Sequence, residues 1–75
     1  MNVVRKRSVT IRGHATSYSV EDPFHEELVA MAADRGQSLA ALIAAIDDAR
    51  PAGANLSSAL RLAVVEELRR RASGG

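Results

Sequence analysis

Apolar residues recur along the chain with two different periods. Between Val20 and Ala49 the period is helical. Phe24, Leu28, Met31 and Ala32, then Leu39, Leu42, Ile43 and Ile46, keep the i, i+3/i+4, i+7 spacing of one helix face. The two runs meet at Gly36-Gln37-Ser38. Upstream the period is two: Thr16, Tyr18 and Val20 fall on one side of an extended segment, Ala15, Ser17 and Ser19 on the other. Within residues 3–12, polar and apolar positions partly alternate from Arg5 onward, with Val9 and Ile11 opposite Lys6, Ser8, Thr10 and Arg12. Their β-branched content suits a strand. Gly13-His14 breaks the alternation and reads as a turn or bulge. Downstream, Leu56, Leu60, Val64 and Leu68 make an i, i+4 stripe that Leu62, Ala63 and Val65 widen.

Punctuation residues set the limits of these runs. Asp22 is placed to cap a first helix, with Pro23 at a position that needs no N–H and Glu26 and Glu27 in the turn where the dipole favours acids. Gly36 is a left-handed C-cap and Ser38 an N-cap for a second helix, which ends near Arg50 because Pro51 follows. Asn55 caps a third helix, roughly 56–71, whose last turn holds Arg69, Arg70 and Arg71. Ser73-Gly74-Gly75 should fray. The predicted order is a basic segment (arm or strand), strand, helix, tight turn, helix, connector, helix, within one small domain.

At 75 residues the chain buries a modest core, and it has no cysteine to staple it. Small domains without staples often oligomerise. The missing cysteine fits a reducing cytoplasm, which is the expected location. No apolar run reaches the roughly 18 residues of a membrane span, so no membrane partner is expected. The net charge of +1 conceals a segregation. Residues 1–14 carry Arg5, Lys6, Arg7 and Arg12 and no acid, whereas residues 15–50 carry seven acids against Arg35 and Arg50. A basic N-terminal segment on an acidic body presents a cationic face to a polyanion, or is a solvated tail.

Nothing in the chain supports catalysis. The acidic pairs Glu26-Glu27, Asp47-Asp48 and Glu66-Glu67 are adjacent along helices, so the members diverge by about 100° and read as solvated faces. No Gly-x-Ser-x-Gly elbow and no glycine-rich phosphate loop is present. His14 and His25, without cysteine, give no metal spacing and read as structural or solvated side chains. No enzyme activity, cofactor or metal is expected.

Val20, Phe24, Leu28, Met31 and Ala32, followed by Gly36-x-Ser38 and a second amphipathic run, resemble the ribbon-helix-helix DNA-binding domain of the Arc and methionine repressors. The match covers roughly residues 15–50. With KRSVTIRGHATSYSVEDPF at one end and GANLSSALRLAVVEELRRR at the other, the whole chain looks like a bacterial subgroup with an added C-terminal helix. The resemblance implies a mainly α fold with a short β ribbon, in an intertwined homodimer. Strands of two chains would pair as an antiparallel ribbon that enters the major groove of double-stranded DNA. Carried over by position, Ala15, Ser17 and Ser19 face outward, and Gln37 and Ser38 start the helix that binds a phosphate. The sequence departs from the family's usual ribbon, because Ala15 has no hydrogen-bonding side chain and serines discriminate bases poorly.

The expected function is a homodimeric DNA-binding transcriptional regulator. Arg5, Lys6, Arg7 and Arg12 would supply phosphate contacts, Ser17 and Ser19 groove contacts, and Gln37 and Ser38 a phosphate anchor. Tyr18, Val20, Leu42, Ile43 and Ile46 would join the two chains. The alternative is a dimeric protein-interaction module, antitoxin-like or an adaptor, that docks a protein partner through helix 55–71. That helix could instead share the dimer core.

Overall fold

The computed structural model describes residues 3–74. Its order is β1 (Val4–Ile11), β2 (His14–Glu21), α1 (Asp22–Asp34), α2 (Leu39–Ala49) and α3 (Leu56–Gly74). The basic segment is therefore a strand. β1 and β2 form a two-stranded antiparallel sheet in register from Val4 opposite Glu21 to Ile11 opposite His14.

The turn is tighter than the glycine alone suggested. It consists of Arg12 and Gly13, at φ 52° and 79°. Positive φ at both central residues is the two-residue hairpin turn whose twist matches that of paired strands. Glycine takes such a φ at no steric cost, and Arg12 pays a small one. His14 is not in the turn; it closes the hairpin opposite Ile11.

Register sorts the side chains into two faces, because directly opposed residues project to the same side. Val9, Ile11, Thr16, Tyr18 and Val20 share the inner face with Arg5 and Arg7. Ile11, Tyr18 and Val20 are buried there against Leu28, Met31 and Ala32 of α1, Leu42 and Ile43 of α2, and Leu56, Leu60 and Val64 of α3. One core thus lies between the hairpin and three helices, closed by a single chain. The ribbon strand that the resemblance takes from a second copy is supplied here by residues 4–11 of the same chain.

Helix ends follow local chemistry with one exception. Gly36, at φ 65°, ends α1 in a Schellman arrangement: its N–H donates to Ala33 O and the Gln37 N–H to Ala32 O. Ser38 Oγ accepts from the Ala41 N–H and Asn55 Oδ1 from the Ser58 N–H, capping α2 and α3. The exception is Asp22. The N-cap of α1 is Glu21, with no side-chain cap bond, because the Asp22 carboxylate is drawn to two arginines of β1. In α3 the stripe is narrower than its sequence suggests. Leu56, Leu60 and Val64 are buried, whereas Leu62 and Leu68 are 62% and 44% exposed. The helix also runs on through Ser73 to Gly74 instead of fraying there, and Gly75 lies outside the described residues. Among the described residues no single helix is long and apolar enough to cross a membrane.

Candidate nucleic-acid interface

The outer face of the hairpin is the exposed half of the alternation. Lys6 stands opposite Ser19, Ser8 opposite Ser17 and Thr10 opposite Ala15. All but the half-buried Ser19 are exposed. The result is a polar ribbon with small side chains, two strands wide, built by one chain. A major groove admits a β ribbon of that width.

The N-terminal cations divide between the faces. Arg5 and Arg7 sit on the inner face at the open end of the hairpin. Both reach Asp22 Oδ1, Arg5 Nε at 3.2 Å and Arg7 Nη2 at 2.8 Å. Arg7 is the more enclosed of the two, and its Nε is buried without a hydrogen-bond partner, as is Nδ1 of the neighbouring His25. Burial, and then repulsion from Arg7, hold the His25 pKa below its ordinary value. Burial also raises the pKa of Tyr18, opposed in part by Arg7. Arg12, at the turn, pairs with Asp48 of α2 while both side chains stay more than half exposed. Among the described residues Lys6 is the only member of the four in no ion pair, and it lies on the outer face.

The edge of β2 that faces away from β1 is occupied by α3. The Ser19 N–H donates to Ser57 Oγ at 2.9 Å, and Arg61 Nη2 donates to Ser19 O at 3.2 Å. Arg61 Nε also donates to Glu21 Oε1 at 3.1 Å. Glu21 is held below the ordinary carboxylate range, first by its own backbone N–H and then by Arg61. Because Ser19 spends both backbone groups on α3, Lys6–Ser19 is a non-hydrogen-bonded pair of the ladder. By alternation, the outward backbone groups of β1 belong to Val4, Lys6, Ser8 and Thr10. No hydrogen bond between elements reaches them among the described residues.

At the start of α2 the Ser38 hydroxyl is committed to the Ala41 N–H, and the Gln37 N–H to Ala32 O. The N–H groups pointing out of this helix end are those of Leu39 and Ala40, which precede the first intrahelical donor, Leu42. Any phosphate here would be met by these amides and not by the Ser38 hydroxyl. Of the residues expected between two chains, Tyr18, Val20, Leu42 and Ile43 are at most 4% exposed inside this chain's own core. Ile46 is half-buried and lines a groove between α2 and α3.

Ser8 and Thr10 do not stand out as ribbon contacts from local pattern, because nothing local shows that residues 4–11 pair with residues 14–21 of the same chain. Ser57 and Arg61 were missed for a different reason. They lie one helical turn apart, but only the packing of α3 beside β2 shows that they face a strand edge.

A comparison with curated proteins gave no match, and a comparison with solved structures gave none. A protein-family model described as a ribbon-helix-helix domain matches residues 4–68. That span takes in both strands, α1, α2 and most of α3, so the third helix lies inside the match. The chain belongs to the ribbon-helix-helix family.

Proposed function

We propose that the protein is a homodimeric double-stranded DNA-binding transcriptional regulator that lays the outer face of its hairpin in the major groove. The family consists generally of DNA-binding transcription regulators and antitoxins, on a non-enzymatic fold. The observation that carries the reading is the exposed ribbon of Lys6, Ser8, Thr10 and Ser17, with the half-buried Ser19 on the same face. Lys6 supplies charge for a phosphate, and the hydroxyls supply short hydrogen bonds to base edges or backbone. Arg5 and Arg12, each more than half exposed, exchange their carboxylate partners for phosphates at little cost, since surface ion pairs contribute about 0–1 kcal/mol. The Leu39 and Ala40 amides at the start of α2 anchor a further phosphate.

The test is fluorescence anisotropy on random duplex DNA at low salt, for the wild type and for Lys6→Glu. Lys6 touches nothing in the core, so the variant should keep the wild-type melting temperature. Affinity should fall on every sequence, and the slope of log affinity against log salt should drop by about one. A wild type that does not bind duplex DNA would overturn the reading. It would leave the protein-interaction module, antitoxin-like or an adaptor, in its place.

A further inference from the structure

The outer face of the hairpin has no long donor of its own on the β2 side. Ala15, Ser17 and Ser19 line that side, and the next outward position along β2 is Glu21, opposite Val4. Among the described residues Glu21 is the only acid on this face. A lone carboxylate there would oppose a polyanion. Glu21 is not alone, because Arg61 of α3 meets it through Nε at 3.1 Å. Nη2 of the same guanidinium donates to Ser19 O at 3.2 Å.

The two contacts fix where the guanidinium lies. Ser19 O leaves β2 in the plane of the sheet, at the edge away from β1, and the Glu21 side chain starts from the outer face. A group bonded to both sits at that edge, level with the outer face. Lys6 stands opposite Ser19, so Lys6, Ser19 and Arg61 form a row across the ribbon with a cation at each end. Arginine has five N–H groups in a planar fork. The edge carrying Nε and one Nη2 hydrogen is used within the chain. The end carrying Nη1 makes no hydrogen bond among the described residues, and the side chain is 32% exposed. A guanidinium held along one edge and free at its end is prepared for a bidentate contact, and guanine O6 and N7 are the usual major-groove acceptors for one.

We infer that Arg61 is a base-reading residue of the ribbon, donating to O6 and N7 of a guanine at the flank of the site, with Glu21 as the residue that positions it. The inference rests on the DNA reading above and supplies the discriminating group that the serines lack. It also accounts for an acid on a face offered to DNA: Glu21 spends its charge on Arg61 and fixes the direction of the fork.

Selection of bound duplexes from a randomised pool, with anisotropy on random duplex alongside, tests it on the wild type, Glu21→Gln and Glu21→Gln/Arg61→Gln. The double variant removes the pair and leaves the net charge unchanged, so affinity for random duplex should stay within about twofold. The wild type should enrich a guanine, and the double variant should lose at least about tenfold of that preference. Glu21→Gln adds one net positive charge and should bind random duplex more tightly, yet enrich the guanine less, because the fork is no longer held. Should the double variant unfold, the isosteric Glu21→Gln still reads the preference. An Arg61 that only pins α3 to β2 would lower the melting temperature, and the affinity for every sequence, without changing the base selected. A wild type that binds duplex DNA with no guanine preference, or a preference unchanged in both variants, refutes the inference and leaves the DNA reading standing. A wild type that binds no duplex DNA overturns the DNA reading and this inference with it.

Discussion

The two faces of the hairpin share one backbone and one register, yet they are held to different standards. On the inner face Tyr18 and Val20 are 4% and 0% exposed and touch three helices' worth of core. One residue away, Ser17 is exposed and lies outside the core cluster. The alternation of a strand thus separates what stabilises this fold from what it shows to a partner. A domain of this size has a total stability of only about 4–11 kcal/mol, so the inner face has little tolerance. Surface changes normally stay within about 0.5 kcal/mol.

One substitution made on both faces breaks the comparison most sharply. Val20→Asp places a carboxylate in a fully buried site among apolar side chains, and the cost exceeds what the domain can absorb. Thermal unfolding followed by circular dichroism should show no cooperative transition. Ser17→Asp should melt within a few degrees of the wild type, yet lose most of its affinity for duplex DNA because a carboxylate then faces the phosphates. If Val20→Asp melts normally, the assignment of faces is wrong.

A middle-sized effect tests the core beneath the inner face. Leu60→Ala removes a fully buried side chain that α3 contributes under the hairpin. Urea denaturation should show a loss of about 2–5 kcal/mol. Leu62→Ala, two residues on and exposed, should change the stability of the monomer by less than about 0.5 kcal/mol. Equal losses at the two positions would mean that α3 is rotated from the orientation described.

The edges of the hairpin extend the contrast with a smaller expected effect. β2 has its outer edge covered by Ser57 and Arg61, while the outer edge of β1 carries Lys6 at its centre, a charge of the kind that discourages further pairing. Ser57→Ala should cost about 1 kcal/mol, the usual net value of one such hydrogen bond. Hydrogen exchange should locate the loss at the Ser19 amide, with little change at Ser17. Unchanged protection at Ser19 would place the α3 contact elsewhere.

These contrasts were unequally visible in the sequence. The helices were legible because Ser38, Asn55 and Gly36 act on their nearest neighbours: each cap closes within three or four residues. The alternation of residues 15–20 was legible for the same reason. The pairing of β1 with β2 was not, because a basic strand and a basic arm have the same composition, and only the Arg12-Gly13 turn decides between them. Asp22 shows the limit most plainly. Its position before a proline is that of a helix cap, but two arginines 15 and 17 residues upstream make stronger, charge-assisted contacts. The Ser57, Arg61 and Ser19 contact joins residues 38 to 42 apart in the chain, and no local pattern reports it.

The smallest effect separates the two faces by pH. His25 packs against the inner face near Arg7, and Asp22 and Glu26 oppose the repulsion from Arg7 without cancelling it. Its pKa is depressed in the fold, so the unfolded chain takes up a proton first as pH falls below the ordinary value of 6.5. Stability contributed by neutral His25 is therefore fully present above about pH 6.5 and is lost as pH falls toward the folded value. Glu21 and Glu67 are also shifted, but downward from 4.5, so they titrate below this window. Urea midpoints should decline from about pH 7 to about pH 5 in the wild type and stay level in His25→Phe. The depression comes first from burial and then from Arg7, and a decline that survives His25→Phe would assign the effect to a group other than His25.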